Sequence, residues 1–112
     1  MSAKPSYVSE NNLVSLIDRM DTDSMIADVV DPVSSPQRLE IMRTLIRGGM
    51  PYSALSNATG LKGGNLFFHL RKLKGAGMVV QNGNVYEITE KGHRVIRYLV
   101  MIKLEIGEDE WL

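Results

Sequence analysis

The sequence has no cysteine among its 112 residues. This absence excludes disulfide bonds, thiolate metal ligands and cysteine nucleophiles, and it is compatible with a reducing compartment. The composition is otherwise ordinary, because hydrophobic residues make up 44% and charged residues 23% of the chain, close to the averages of globular proteins. We therefore expect one folded domain with a modest core.

Long apolar runs are also absent. The longest apolar stretch, residues 98–102, is far too short to span a bilayer. The polar N-terminus, with Lys4 and Pro5, lacks the apolar segment of a signal peptide. These features predict a cytoplasmic protein that has no membrane partner.

The residue patterns that many enzymes need are missing as well. No nucleophile elbow is present, and the pair Gly63 and Gly64 alone does not make a phosphate-binding loop. His69 has no second metal ligand three or four residues away. We therefore predict that the protein is not an enzyme and uses no metal and no cofactor.

The formal net charge is zero, yet the charges are strongly segregated along the chain. Residues 36–103 contain eleven Lys and Arg against three Asp and Glu, a net charge of +8, whereas residues 1–35 and 104–112 each carry −4. A basic centre between acidic ends is typical of a module that binds a polyanion. The alternative is that the basic side chains only solvate helix surfaces.

The N-terminal part of the chain predicts a separate amphipathic helix. Over residues 10–20, four apolar residues follow the i, i+3, i+4, i+7 spacing of one helix face, with Ser9 or Asn11 as the N-cap. Residues 21–24 break this helix before a short second helix over residues 25–30. The apolar face consists of Leu13, Leu16, Ile17 and Met20.

The next helix begins at Ser35 and Pro36, an N-cap hydroxyl followed by a first-turn proline. Its apolar positions predict which side faces the core. We expect it to bury Leu39, Ile41, Met42, Leu45 and Ile46 and to expose Arg38, Arg43 and Arg47.

A short helix and then a basic helix follow. Pro51 begins the short helix, which buries Leu55 and Ala58 and ends at the turn residue Gly60. The basic helix covers about residues 63–75, and its leucines recur at helical spacing. The core face is formed by Leu66, Leu70 and Leu73, and the opposite face by Gly64, Asn65, Phe68, Arg71 and Lys72.

A β-hairpin and a last helix complete the pattern. Residues 78–80 are predicted to form one strand and residues 85–88 the second strand of a hairpin. The pair Asn82-Gly83 between them predicts a type I′ turn, in which both central residues have positive φ. Thr89 caps the last helix, whose apolar arc is wider than one core contact requires. This helix therefore needs a second partner, either the N-terminal helix or another subunit.

Three segments, in this order, resemble winged helix-turn-helix regulators of the ArsR-like and MarR-like kind. Residues 35–42, SPQRLEIM, are close to S-x-x-R-x-x-I-L at the first helix of that domain. Residues 69–79, HLRKLKGAGMV, resemble HL-x-x-L-x-x-x-G-hydrophobic-V, and residues 86–92, YEITEKG, resemble Y-x-L-T-x-K-G after the wing. The resemblance extends from Pro36 to about Val100.

The resemblance implies a mainly α-helical fold with a small β-hairpin, a winged helix-turn-helix with extra N-terminal and C-terminal helices. It implies a transcription regulator that acts as a homodimer on specific double-stranded DNA, with helix 63–75 in the major groove and wing 81–84 on the backbone. The chain departs from the family pattern at Phe67 and Phe68, and it lacks the ligand sets of metal-sensing relatives. We expect Phe67 to join the core and Phe68 to project into solvent.

A DNA-contacting set is predicted on the basic helix and the wing. Arg71 and Lys72 suit phosphates or guanine edges, and Asn65 suits adenine, although each can be plain surface. Phe68 has three alternatives, namely a thymine methyl, the wing or a protein interface. His69 is included, with a structural role beside the leucines as its alternative. The set is Lys62, Gly63, Gly64, Asn65, Phe68, His69, Arg71, Lys72, Lys74, Asn82, Gly83 and Asn84.

A second set is predicted to form the homodimer interface. We divide the chain into an N-terminal arm (1–34), a DNA-binding domain (35–92) and a C-terminal helix with an acidic tail (93–112). The alternative function is a protein-interaction adaptor that does not bind DNA, and any effector ligand is unknown. The interface set is Leu13, Leu16, Ile17, Met20, Val95, Tyr98, Leu99, Ile102 and Ile106.

Overall fold

The computed structural model describes residues 9–107 and is mainly helical with one small sheet. This architecture confirms the predicted fold class. The helices are α1 (Glu10–Asp18), α2 (Thr22–Met25), α3 (Pro36–Leu45), α4 (Tyr52–Thr59), α5 (Gly63–Gly75) and α6 (Glu90–Glu105). The strands are β1 (Met50–Pro51), β2 (Val79–Asn82) and β3 (Val85–Ile88). Between α2 and α3 the chain runs through a π-helical segment, Ile26–Val30, and a 3₁₀ turn, Asp31–Val33.

Side-chain caps set where the helices begin. Ser9, Ser35 and Thr89 each accept a hydrogen bond from a backbone N–H in the first turn of the helix that follows, as their sequence positions predict. The second helix begins at Thr22, three residues earlier than predicted, because the Asp21 carboxylate accepts from the N–H groups of its first turn. The residues predicted to break the chain are therefore its first turn.

The core lies where α3, α4 and α5 pack against the sheet. Three side chains differ from their predicted positions. Arg38 was expected outside the core, and Ile46 and Ala58 were expected inside it. Arg38 is buried, because it precedes Ile41 on the same face of α3; Ile46 is exposed, because α3 ends one residue before it; Ala58 is exposed at the end of α4. The core consists of Ile41, Met42, Leu45, Leu55, Leu66, Leu70, Leu73, Met78, Val79 and Tyr86.

The sheet has three antiparallel strands in the order β1-β3-β2, one more than the predicted hairpin. Asn82 pairs with Val85, so the two residues at the tip of the wing are Gly83 and Asn84. Only Gly83 has positive φ, at 62°, which is the pattern of a type II′ turn. The predicted type I′ turn is therefore wrong, although the hairpin itself is in the predicted place.

The last helix joins the sheet by an unusually close contact at Gly92. A side chain at this position would collide with the Met78 carbonyl and would lie 2.8 Å from Cγ1 of Ile88. The Thr89 N–H donates to the same Met78 carbonyl at 3.0 Å, and the Thr89 hydroxyl donates to the carbonyl of Gly77 at 2.6 Å. Glycine is thus required where α6 begins.

The N-terminal arm extends away from this body. Every residue from 11 to 30 is exposed, including the predicted apolar stripe of α1. The radius of gyration is 15.9 Å, larger than the ~13 Å of a compact domain of about 100 residues. Within residues 9–107, no helix is long and apolar enough to cross a membrane.

Candidate nucleic-acid interface

The corner between α4 and α5 is held by side chains of α4. The Ser56 hydroxyl donates to the Leu61 carbonyl at 2.6 Å, and the Thr59 hydroxyl accepts from the Leu61 N–H at 3.2 Å. The Tyr52 hydroxyl donates to the carbonyl of Gly63, the first residue of α5, at 3.1 Å. These bonds satisfy backbone groups of the connecting turn and fix the direction in which α5 leaves α4.

Phe67 belongs to the same corner and not to the core. Its ring stacks on Tyr52 with 4.4 Å between centroids and an interplanar angle of 21°, and 48% of the residue remains exposed. The prediction of a core position is therefore wrong. Phe67 lies beside the buried face of α5 that carries Leu66 and Leu70, and not on it. Its ring instead adds a second contact that orients α5 against α4.

The outer face of α5 presents polar and basic side chains to solvent. Asn65, Phe68, Arg71 and Lys72 are all exposed, as predicted from the helical period. Within residues 9–107, the side chains of Asn65 and Arg71 make no hydrogen bond or ion pair, and that of Lys72 only lies over the Phe68 ring, 5.7 Å from its centroid. Their donors are therefore available to an external acceptor.

The start of α5 adds more unpaired donors. Its N-cap, Lys62, is exposed and makes no side-chain capping bond, and Gly63 and Gly64 follow without side chains. The first N–H groups of a helix lack partners inside the helix and carry a partial positive charge. This end of α5 is thus suited to an anion, next to the basic outer face.

The segment of the chain that forms α5 and most of the wing has no acidic residue. Residues 41–86 contain six Lys and Arg and no Asp or Glu. The segment includes α4, α5, β2 and the turn of the wing. Positive potential on this side of the molecule is therefore not cancelled by acids of the same segment.

The wing stands beside α5 and is tied to it by Lys74. The ammonium group of Lys74 donates to Oε1 of Gln81 at 2.9 Å and lies 6.0 Å from the centroid of the Tyr86 ring. The Asn82 amide donates to Oε1 of Glu87 at 2.7 Å, so this side chain braces the hairpin. Gly83 and Asn84 form the exposed tip of the wing.

His69 does not belong to this outer surface, although it was included in the predicted DNA-contacting set. It is buried, with Nδ1 3.1 Å from a guanidinium nitrogen of Arg38. Because arginine only donates, Nδ1 is the acceptor and the ring proton is on Nε2. Burial, and then the charge of Arg38, lower the pKa of His69 below its usual value, so the ring is neutral. Its role is structural, as the alternative interpretation proposed.

Arg38 was predicted to be exposed, but its side chain is buried beside His69. Its Nε donates to the Pro32 carbonyl at 2.8 Å and its second terminal nitrogen donates to the Asp31 carbonyl at 3.0 Å, in addition to the contact with His69. It therefore joins the 3₁₀ turn to α5. The available signal was its spacing, since Arg38 shares the i, i+3, i+4, i+7 stripe with the core residues Ile41, Met42 and Leu45.

The described part of the chain offers no metal centre. No group of three or more His, Cys, Asp or Glu side chains within residues 9–107 is placed to hold an ion. A groove of about 310 Å³ separates α5 from the wing, and one of about 500 Å³ separates α5 from residues 27–32.

A family model matches residues 26–99, and its description is a domain of unknown function, DUF7347. The matched segment runs from the π-helical turn into α6 and so includes the whole helix-turn-helix and wing. No curated protein is significantly similar to the chain in sequence.

Solved structures of transcriptional regulators share this fold. The repressor BigR from Xylella fastidiosa is 22% identical with a TM-score of 0.63, over 85% of this chain and 96% of that chain. A MarR-family regulator from Enterococcus faecalis is 16% identical with a TM-score of 0.63, over 98% and 100%. A homodimeric winged helix-turn-helix DNA-binding domain from Mycobacterium bovis is 22% identical with a TM-score of 0.60, over 94% and 93%.

Identities of this size establish the fold and nothing finer. The resemblance drawn from residues 35–42, 69–79 and 86–92 is confirmed at that level, because the neighbours are ArsR-family and MarR-family winged helices. The chain belongs to the DUF7347 family, and its fold is the winged helix-turn-helix of these regulators.

Proposed function

We propose that the protein is a homodimeric transcription regulator that binds specific double-stranded DNA sequences and is not an enzyme. The observation that carries this proposal is the outer face of α5, where exposed and unpaired Asn65 and Arg71 lie with Lys72 on a helix of a winged helix-turn-helix. Unpaired donors on a basic surface suit phosphates and base edges, which are rich in acceptors.

In this proposal α5 enters the major groove. Arg71 and Lys72 neutralise phosphates or contact guanine, Asn65 pairs with adenine, and Lys62 with the helix start holds a phosphate. The wing, residues 81–84, lies along the backbone. Lys74 contributes charge, although its ammonium group is already bonded to Gln81.

The domain division 35–92 for DNA binding, with 1–34 and 93–112 for dimerisation, follows from the exposed apolar surface. The exposed residues are Leu13, Leu16 and Ile17 on α1, Met20 just after α1, Tyr98 and Ile102 on α6, and Ile106 at the C-cap of α6. A free nine-residue helix is unstable in water, so α1 needs a partner to bury its stripe. A second copy supplies one by symmetry. Val95 packs against its own core, and Leu99 is half-buried, so both lie at the edge of this surface.

A test of the base-reading role uses Phe68, which is 47% exposed at the centre of the proposed surface. Duplexes selected from a random library provide the specific site, and a scrambled duplex provides the nonspecific one. Phe68→Ala is expected to weaken specific binding about tenfold, the value of one base contact, and to leave nonspecific binding unchanged. Equal losses on both duplexes would show that Phe68 does not read bases.

Exposure of Phe68 also favours the second candidate, a protein-interaction adaptor. An exposed aromatic ring is a common anchor of protein interfaces. The two candidates differ in a simple binding assay, because an adaptor is expected to show no salt-dependent affinity for nonspecific duplex DNA at low ionic strength.

A further inference from the structure

A groove of about 500 Å³ lies between the N-terminal arm and the C-terminal half of α5. Its volume is within the range of small-molecule sites, and its floor is largely apolar. One wall comes from the π-helical segment and the 3₁₀ turn, and the other from α5. The lining residues are Ala27, Asp28, Asp31 and Pro32 on the first wall and Phe68, Arg71, Lys72, Gly75 and Ala76 on the second.

The two walls carry opposite charges that are not paired with each other. Asp28 and Asp31 line the arm side, and Arg71 and Lys72 line the α5 side, yet no ion pair crosses the groove between described residues. Among residues 9–107, Asp28 accepts only from the hydroxyl of Ser24, at 3.0 Å. The groove therefore holds carboxylate acceptors on one side and free cationic donors on the other.

The distance between the walls is fixed by the Arg38 contacts described above. Its guanidinium bonds the carbonyls of Asp31 and Pro32 on one side and His69 of α5 on the other. The arm wall is also irregular, since Ala27 and Asp28 belong to a five-residue π-helix, and such segments are frequent at functional sites. The groove is thus a braced feature of the fold.

We propose that this groove binds a small amphoteric aromatic molecule. Its ammonium group contacts Asp28 and Asp31, its carboxylate contacts Arg71 and Lys72, and its ring packs against Phe68 and Pro32. A ligand with one charge would pair with one wall and leave the other without a partner, so both charges are needed for the full affinity.

Binding of the ligand to the groove does not depend on DNA binding. Its expected effect, competition with DNA, rests on the proposed function. Phe68, Arg71 and Lys72 line the groove and also form the proposed DNA surface. A molecule held by these side chains competes with DNA for them, so ligand and DNA each lower the affinity for the other.

The first experiment uses the full chain without DNA and three matched probes in an NMR titration. L-Phenylalanine carries both charges, phenethylamine only the ammonium group and 3-phenylpropionate only the carboxylate. L-Phenylalanine is expected to shift amides of residues 27–32 and 68–76 and to bind about three- to tenfold tighter than either single-charge probe, the effect of one exposed charge-assisted contact. Equal affinities, or no saturable shifts in these segments with L-phenylalanine, would overturn the proposal.

Two variants assign the charges. Asp31→Asn keeps the backbone carbonyl that Arg38 bonds, and it is expected to reduce the advantage of L-phenylalanine over 3-phenylpropionate, with Asp28 still present. Arg71→Gln is expected to reduce the advantage over phenethylamine, with Lys72 still present. Glu105→Gln is the control with the same charge change outside the groove lining and leaves all three affinities unchanged. A loss in the control as large as in Asp31→Asn would contradict the assignment.

Competition with duplex DNA is measured separately. If L-phenylalanine binds the groove and DNA also binds, addition of the ligand is expected to raise the Kd for DNA in the parent and not in Asp31→Asn. If the groove binds ligand but no duplex is bound at low salt, the proposed function fails while the site stands. If DNA binds and the amphoteric probe does not, the site fails while the proposed function stands.

Discussion

Arg38 connects three parts of the molecule, namely α3, the 3₁₀ turn and α5. It bonds two carbonyls of the 3₁₀ turn and the ring of His69, and no buried side-chain nitrogen or oxygen of residues 9–107 is left without a partner. A planar guanidinium can serve three acceptors at once, which a lysine in its place cannot do with the same geometry. Arg38 therefore links the arm to α5.

The same contact predicts how stability depends on pH. His69 accepts from Arg38, so protonation removes the bond and places two cations side by side. Because its pKa in the folded protein lies below the usual value, the stabilisation is complete above about pH 6.5 and is lost as the pH falls through the lowered pKa. Urea unfolding between about pH 5 and pH 7 is expected to show this decline.

The other histidine of the chain provides the control. His93 is exposed on α6, so His93→Gln is expected to keep the decline, whereas His69→Gln is expected to flatten it. If both variants kept the full slope, the pH dependence would arise elsewhere and His69 would not be its cause.

At the scale of secondary-structure elements, most helices could be predicted from the sequence, because N-caps and helical periodicity depend only on residues that are close along the chain. Ser35 with Pro36, and Thr89, fix helix starts that need no distant contact. β1 was missed because it has only two residues, one of them a proline, and it exists only by pairing with β3 at the edge of the sheet. The turn type was wrong because the register with β2, set by packing, moves the turn by one residue.

Gly92 tests the docking of α6 onto the sheet. Gly92→Ala is expected to lower the free energy of unfolding by about 2 kcal/mol or more, because the new methyl group overlaps the Met78 carbonyl and crowds Ile88. Chemical denaturation of the two proteins measures the difference.

Gly64→Ala is the matched substitution in the first turn of α5. No atom lies within 4 Å of the added methyl group, so this change is expected to raise stability by about 0.5–1 kcal/mol. A loss of stability at Gly64 as large as that at Gly92 would contradict the assignment of the effect at Gly92 to the close contact with Met78, because an added methyl group at Gly64 meets no neighbouring atom.

For the whole molecule, the candidate site was predictable in part. The helical period placed Asn65, Phe68, Arg71 and Lys72 correctly on the exposed face, because that face depends only on the leucines opposite. The burial of His69 and the groove beside α5 depend on the contacts of Arg38 with the 3₁₀ turn and with α5. These are long-range contacts, which no local pattern in the sequence encodes.

For the whole molecule, the exposed apolar residues of the N-terminal arm and of α6 predict that the oligomeric state depends on both surfaces. Ile17 on α1 is 53% exposed and Ile102 on α6 is 55% exposed. Combining Ile17→Lys with Ile102→Lys is expected to convert the proposed dimer to a monomer, because buried ammonium groups without partners are costly. Sedimentation velocity measures the mass of each species.

The control for this experiment is Ser15→Lys. Ser15 is exposed on α1 and lies about 160° around the helix from Ile17, opposite the stripe. It is expected to leave the dimer intact. A parent protein that sediments as a monomer at all concentrations would contradict the dimer proposal.

The most direct test of DNA binding is the salt dependence of affinity for duplex DNA, measured by fluorescence anisotropy. The parent is expected to lose affinity steeply as salt rises, and Arg71→Ala and Lys72→Ala are each expected to reduce the slope of log K against log salt by about one unit. Arg43→Ala, which removes a cation paired with Glu40 on α3, is expected to leave the slope unchanged. Absence of binding at low salt, or an equal effect of Arg43→Ala, would contradict the assignment of α5 as the DNA-binding surface.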